Sequence, residues 1–472
     1  MHEMERDDGG GAVSAQDRRK APVRRDQHDP ARRNPAQRTA PAPAAAAGSE
    51  AAGVSAELLN AAVAATALLL EFNQPADAAL SGFFRAHRSG ARDRAFIAET
   101  AYAVLRRKRL LERLAGASGR RPSPRQLVLL SLARVRGMSQ RQLDPALLEG
   151  EREWLEAIRR GEDPEMTPAE QADLPDWLVE RLLQRITPEA LQVLARSLNS
   201  PAPLDLRVNA VKAERTAVIA RLAADGIVAE ACRYAPLGLR LKGKPALQKH
   251  PAFLDGSFEV QDEGSQLLSY LLAPRRGEMV VDFCAGAGGK TLALGALMRS
   301  TGRLYALDVS DKRLAKLKPR AARAGLSNVH PICIVSENDI RVKRLAGKAD
   351  RVLVDAPCSG LGTLRRNPDL KWRQSPQSVA ELTVKQAAIL AAAARLVRPG
   401  GRLVYATCSI LVEENEGIVD VFLAAHPEFR RLSAREVLAG QGIDIECGED
   451  MSLSPQTHGT DGFYAAVLER VK

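Results

Sequence analysis

Aromatic side chains are scarce in this chain, 4% of 472 residues, so aliphatic residues must build its cores. Cysteine is sparse as well. The six cysteines, at 232, 284, 333, 358, 408 and 447, include no pair at zinc-ligand spacing, and the seven histidines do not cluster with them. No metal site is expected. So few thiols in so long a chain exclude a disulfide scaffold, and a reducing cytoplasm is the natural home. Long apolar runs are missing too: the longest, Ala61 to Leu70, is too short to cross a bilayer. The N-terminus is charged and lacks a signal-peptide core. The expectation is a soluble cytoplasmic monomer with no membrane partner.

What the chain has in excess is positive charge. Its net charge is +11, and residues 1–49, with nine Lys/Arg against seven Asp/Glu, contribute only +2 of it. The remainder lies on the folded part. Such a balance favours a polyanionic partner, nucleic acid before membrane.

Four segments follow from composition and periodicity. Residues 1–54, rich in Arg, Pro, Ala and Gly without hydrophobic periodicity, read as a disordered basic tail. Residues 55–199 carry helical spacing and form an all-α domain. Its basic run Arg106–Arg–Lys–Arg109 is expected on a solvated helix face within reach of phosphates. Residues 200–275 mix strand patterns (203–209, 238–242, 257–261) with a helix over 213–224, a small α+β domain. From 276 to 472 strands alternate with helices. Strands are expected at 279–283, 303–308, 329–334, 351–355 and 402–407, and helices at 311–324 and 377–397. Continuous apolar strands separated by helices imply an α/β, doubly wound, Rossmann-like domain with a parallel sheet. Ligands in such sheets bind beyond the carboxyl ends of the strands.

Three motifs stand at those ends. The first is the loop Cys284–Ala285–Gly286–Ala287–Gly288–Gly289–Lys290, between an apolar strand and a helix. It is neither the full dinucleotide fingerprint nor a phosphate P-loop. Asp308 ends the next strand, nineteen residues after Gly289, close to the spacing of a ribose-binding acid. S-adenosylmethionine and the nicotinamide cofactors both fit. The second is Asp355–Ala–Pro357–Cys358–Ser–Gly360 and the third Tyr405–Ala–Thr407–Cys408–Ser409. A carboxylate and a thiol three residues apart can converge on one planar heterocycle. Carbon 5 of cytosine is too poor a nucleophile to attack a methyl sulfonium. Thiolate addition at carbon 6 turns the ring into an enamine whose carbon 5 can attack, and an acid near ring nitrogen 3 assists.

With these motifs, with Glu413–Glu–Asn–Glu416, Pro455 to Phe463, and the preceding Arg207–Val–Asn209 and Gln261–Asp–Glu263, the chain resembles the Fmu/Sun (RsmB-type) family of RNA cytosine-5 methyltransferases over residues 200–472. The resemblance implies an RNA-binding role for the α+β domain, ribosomal RNA as the partner and S-adenosylmethionine as the cofactor. It implies Cys408 as nucleophile, Cys358 as the thiol that assists release, and Asp355 in contact with cytosine and near the cofactor. The 284–290 loop and Asp308 would hold the cofactor, with Lys290 facing the active site. Two departures stand out. The family loop often reads Cys-Ala-Ala-Pro-Gly-Gly-Lys, and the Gly-Asp pair of the adenine site is replaced by Val335–Ser–Glu337–Asn–Asp339, from which Asp339 is chosen with Glu337 as the alternative. Cys232, Cys333 and Cys447 are expected to be structural. The loop Gly362 to Arg373, basic and with one tryptophan, is expected to hold phosphates and stack a base.

Rival readings are a tRNA or DNA cytosine-5 methyltransferase, the latter with Cys358 as nucleophile, and a non-catalytic ribosome-assembly factor. The charge distribution yields one test. A chain starting near Val54 should keep most of its RNA affinity and a steep salt dependence. A filter-binding titration that loses most affinity with the tail would place the RNA contacts in residues 1–53.

Overall fold

In the computed structural model, which describes residues 53–116, 121–162 and 164–471, the chain builds two sheets and a helical region. The expected disordered tail lies outside the described residues except for Gly53 and Val54. Val54 is buried and its N–H donates to Gln142 O at 2.8 Å. No described helix is long and apolar enough to cross a membrane.

The helical region divides by its packing. Helices from Ala56–Leu69 to Glu151–Arg160 close around their own aliphatic core, with Leu59, Ile97, Leu105, Leu111 and Leu129 fully buried or nearly so. Helices Pro168–Ala172, Asp176–Leu183 and Pro188–Leu198 instead share a core with Leu361, Leu364, Val379 and Leu411 of the C-terminal part. The domain expected over 55–199 therefore contains two packing units.

The small sheet holds β1 (Leu204–Val208), β2 (Ala229–Ala231), β3 (Gly238–Leu241) and β4 (Phe258–Val260), antiparallel in the order β2-β3-β1-β4. Helix Arg215–Ala224 covers it through Val218 and Leu222. The next helix, Glu263–Leu272, packs its Leu267, Leu268 and Leu271 on the large sheet. The unit expected over 200–275 thus gives its last helix to the neighbouring domain.

The large sheet contains β5 (Met279–Asp282), β6 (Arg303–Asp308), β7 (Val329–Cys333), β8 (Ala349–Asp355), β9 (Val397–Thr407), β10 (Phe429–Leu432), β11 (Met451–Leu453) and β12 (Phe463–Arg470). Its order is β10-β12-β9-β8-β5-β6-β7, with β11 also on β12. Strands β5 to β9 are parallel; β10, β11 and β12 are antiparallel. The sheet is therefore mixed rather than purely parallel. The helix expected over 311–324 is broken into Asp311–Leu314 and Leu317–Arg323. Pro319 has no N–H to give Ala315, which ends the first piece. Strand β9 starts earlier than expected because Val397 pairs with Ala349 across a bulge.

The basic loop 362–373 does not present its charges to solvent. Arg365 pairs with Asp461 at 3.1 Å, and Arg366 with Asp461 at 2.5 Å and Asp262 at 2.9 Å. Lys371 is fully buried and donates to Arg106 O, Asp173 O and Asn199 Oδ1 at 2.9, 2.6 and 2.7 Å. The Trp372 indole N–H donates to Leu105 O at 2.9 Å, and its ring packs on the helical core. The expected phosphate-holding, base-stacking loop is a staple between domains. The run at 106–109 is spent similarly: Arg107 pairs with Asp173, Arg109 with Asp176, and Arg106 donates to Arg365 O. Lys108 and Arg373 pair locally, with Glu112 and Asp369, but the acids and carbonyls that absorb the other charges lie in distant segments, where local sequence cannot reveal them.

Burial pushes the Lys371 ammonium down to about 7, yet its three acceptors match its three donors. Replacing Lys371 by Met would leave those buried oxygens unpaired. Denaturant unfolding should show a loss of about 3 kcal/mol or more; a change under about 1 kcal/mol would show that the staple does not hold the domains.

Candidate active site

The order of the large sheet reverses between β5 and β8: β6 and β7 continue on one side, β9 on the other. Loops leaving the carboxyl ends of β5 and β8 therefore diverge and open a crevice. A cavity of about 450 Å³ occupies it, within the range of small-molecule sites.

One half of the cavity is the 284–290 loop. Gly288 caps the helix Gly289–Leu297 at φ +88°, and a Cβ there would stand 2.2 Å from Leu317 Cδ1. The Gly286 N–H donates to Asp308 Oδ2 at 2.8 Å, which ties the loop to the end of β6. The other oxygen of Asp308 accepts from Ser310 N at 2.7 Å and pairs with Arg313 at 3.0 Å. Behind the loop, the small domain braces it. Arg207 donates to Gly289 O at 2.8 Å, and Arg320, held by Glu259, donates to Ala287 O. Asp282, at the end of β5, is buried; its Oδ2 accepts from Thr291 Oγ1 at 2.7 Å and its Oδ1 has no partner. Burial pushes its carboxyl up to about 7. An orphaned carboxylate oxygen, a glycine cradle and the acids Asp308 and Glu337 on one cavity fit a nucleoside-type cofactor carrying a cationic group.

The other half carries the sulfur. Strands β8 and β9 are parallel neighbours with Asp355 opposite Ala406. The thiols just past their ends come together, Cys358 Sγ to Cys408 Sγ at 3.4 Å, and the Cys408 N–H donates to Cys358 Sγ at 3.3 Å. The hydrogen bond with Cys408, then burial, holds the Cys358 thiol well above its ordinary value. Lys290 donates to Asp355 Oδ2 at 2.7 Å. Burial opposes the Lys290 charge, and Asp355 more than compensates, so the ammonium is held above its usual value.

Cys284, Ala285, Gly286, Ala287, Gly289, Lys290, Asp308, Asp355, Cys358 and Cys408 thus border one cavity, while Gly288 serves the turn behind it. Asp339 is not brought there. Its carboxylate caps the helix Ile340–Lys343 and grips the Arg341 guanidinium, which holds it well below the usual carboxylate range. Glu337, the alternative, lines the cavity. Sequence reasoning also passed over Asp282 and Arg313. An acid closing an otherwise apolar strand was the available signal for the first; the second depends on the Asp308 contact and had none. Away from the cavity, Asp205, Cys232 and Glu263 converge at ligand distance among the described residues, but Arg240 bonds both carboxylates, Asp205 at 2.8 and 2.9 Å, and fills the place of a cation.

A family model described as 16S rRNA methyltransferase RsmB/F matches residues 269–469, and a second, for the ferredoxin-like domain of RsmF/B-like methyltransferases, matches residues 174–248. The chain is 34% identical to the probable ribosomal RNA small subunit methyltransferase B of Synechocystis sp. over 84% of its length and 95% of that protein. It is 33% identical to the probable protein of the same name from Bacillus subtilis, over 68% of this chain and 71% of that one. Among solved structures, the crystal structure of PH0851 superposes with a TM-score of 0.74 at 29% identity, covering 89% of this chain and 99% of that chain.

The Asp282 carboxyl makes a pH prediction. A folded-state value above the ordinary carboxylate range means that the fold favours the protonated form. That contribution is complete below about pH 4 and is lost as the pH rises through 7. Asp282→Asn should therefore gain stability relative to the parent between pH 4 and 8, by up to about 4 kcal/mol. Denaturant unfolding curves that stay parallel across this range would contradict the burial cost assigned to Asp282.

Proposed function

The chain belongs to the RsmB/F family of ribosomal RNA methyltransferases, and from that premise we propose that it methylates carbon 5 of a cytosine in ribosomal RNA, with S-adenosylmethionine as methyl donor. The observation that carries this reading is the pair of thiols, 3.4 Å apart, on the same cavity as the glycine loop. S-adenosylmethionine, when bound, supplies an electrophilic methyl group on a sulfonium. Residues 284–290 with Asp282, Asp308 and Glu337 would hold it, and the target base must leave its stack to reach the thiols.

In this reading the Cys408 thiol gives up its proton to solvent, its sulfur forms a bond to carbon 6, and the electron pair of the carbon 5–carbon 6 double bond is displaced toward ring nitrogen 3. Asp355 holds or donates the proton there, and Lys290 fixes its orientation. Carbon 5 then takes the methyl group. The proton on carbon 5 passes to a base, the ring double bond re-forms and the Cys408–carbon bond breaks. Cys358 gives its proton to the departing sulfur. A thiol held above its ordinary value suits that role better than that of a standing nucleophile. The reverse assignment has one observation in its favour: the Cys408 N–H donates to the Cys358 sulfur and would stabilise a thiolate there.

Trapping the adduct tests the division of labour. Cys408→Ala should lose methylation and form no covalent complex. Cys358→Ala should add and methylate, then stall as a protein–RNA adduct that survives denaturing gel electrophoresis and builds up efficiently only with S-adenosylmethionine. The double variant should give none. An adduct that accumulates only in Cys408→Ala would reverse the roles.

A further inference from the structure

The Glu413–Glu414–Asn415–Glu416 segment has no part in the chemistry above, yet its second residue sits directly behind both thiols. Glu414 is fully buried, and among the described residues no basic side chain pairs with its carboxyl group. One oxygen accepts from Ser359 N at 2.8 Å and Gln386 Nε2 at 3.0 Å. The other accepts from the hydroxyls of Ser359 and Ser409, which stand 3.2 Å apart. Ser359 follows Cys358 and Ser409 follows Cys408; both serines are buried while the cysteines border the cavity. Gln386 also donates to Pro357 O at 3.0 Å, and Tyr405 donates to the Glu414 carbonyl at 2.7 Å. Asn415 completes the bracket by accepting from Thr407 Oγ1 and donating to Ser409 O at 3.2 Å.

We infer that Glu414 is a positioning residue whose single carboxyl group locks the two thiol-bearing turns against each other. Past the last β8–β9 bond, Ala356 N–H to Ala406 O, one backbone bond, Gly362 N–H to Cys408 O, also ties the two turns, and this bracket supplies the side-chain ties between them. A buried carboxyl group costs free energy unless its oxygens are satisfied. Here every donor comes from the two turns or from the Gln386 amide that braces one of them. The role of the pair in addition and release rests on the function proposed above, whereas the bracket itself is a geometric claim.

Two readouts separate them. In the intact protein, the thiol oxidant diamide should convert Cys358 and Cys408 rapidly to a disulfide, two thiols losing two protons and two electrons to the diazene. Mass spectrometry of the linked peptides gives the rate. Glu414→Ala should slow this reaction at least tenfold, and Glu414→Gln, which keeps the size and one acceptor, should fall between it and the parent. Calorimetric affinity for S-adenosylmethionine should stay within about twofold. Methyl transfer should fall at least a hundredfold in kcat for Glu414→Ala, with KM for RNA changed less than threefold. Unchanged disulfide rates in both variants would overturn the bracket, whether or not methylation survives. Slower disulfide formation with full methylation would uphold the bracket and sink the paired-thiol mechanism. Loss of cofactor binding together with the disulfide rate in both variants would reduce Glu414 to a general stabiliser of the domain and overturn the inference.

Discussion

The register of one parallel strand pair decides where the two thiols sit. Asp355 of β8 lies opposite Ala406 of β9, and the two chains leave the sheet at the same level. A cysteine three residues past one strand and another immediately past its neighbour therefore arrive together. Parallel strands need a crossover, here the helix Pro376–Ala394, which Ser375 caps and Pro376 opens. Fifty residues of sequence separation thus close to van der Waals distance between sulfurs. The glycine loop after β5 meets them because β5 is the other neighbour of β8, at the point where the strand order reverses.

Around that strand pair, buried charge is used to join parts of the molecule. Asp461 and Asp262 neutralise Arg365 and Arg366, Glu259 neutralises Arg320 and Arg323, and Asp205 neutralises Arg240. Each group links segments far apart in the chain, and one of them, through Arg320 to Ala287 O, ends on the glycine loop. Buried ion pairs of this kind contribute little net stability against well-packed apolar alternatives, but removing one member leaves an uncompensated charge. They are better understood as fixing the relative placement of the small sheet, the 362–373 staple and the large sheet. At Gly362, where a Cβ would stand 2.3 Å from Gly462 O, the staple approaches the C-terminal segment closely enough that only hydrogen fits.

Legibility differed with the range of the cause. Apolar runs bounded by turns marked the parallel strands β5, β6, β8 and β9, because burial on both faces of a parallel sheet demands that composition; β7, at the sheet edge, was also expected but is only partly buried. The antiparallel additions β10 to β12 were not anticipated, since β12 forms by pairing with β9, and β10 and β11 by pairing with β12, rather than from their own pattern. The helix over 311–324 was expected whole and is interrupted at Ala315 and Lys316, because Pro319 has no N–H to offer Ala315. The basic tryptophan loop was misread because solvent-exposed and ion-paired arginines look alike in a sequence. Asp339, chosen from 335–339 as the cofactor acid, caps a helix and binds Arg341, whereas Glu337 lines the cavity.

The class of fold and the family were legible from the residues alone. These properties are carried by residue type and by spacing along the backbone, on which short-range sterics and burial act directly. Only the tertiary structure decided which sulfur approaches which, that Lys290 holds Asp355, that Asp282 has an unpartnered oxygen, and that Glu414 stands behind both thiols. Those facts depend on strand register, crossover length and the neutralisation of buried charge across tens to hundreds of residues. Such interactions have free energies comparable to local preferences, and they take effect only once the chain has closed on itself.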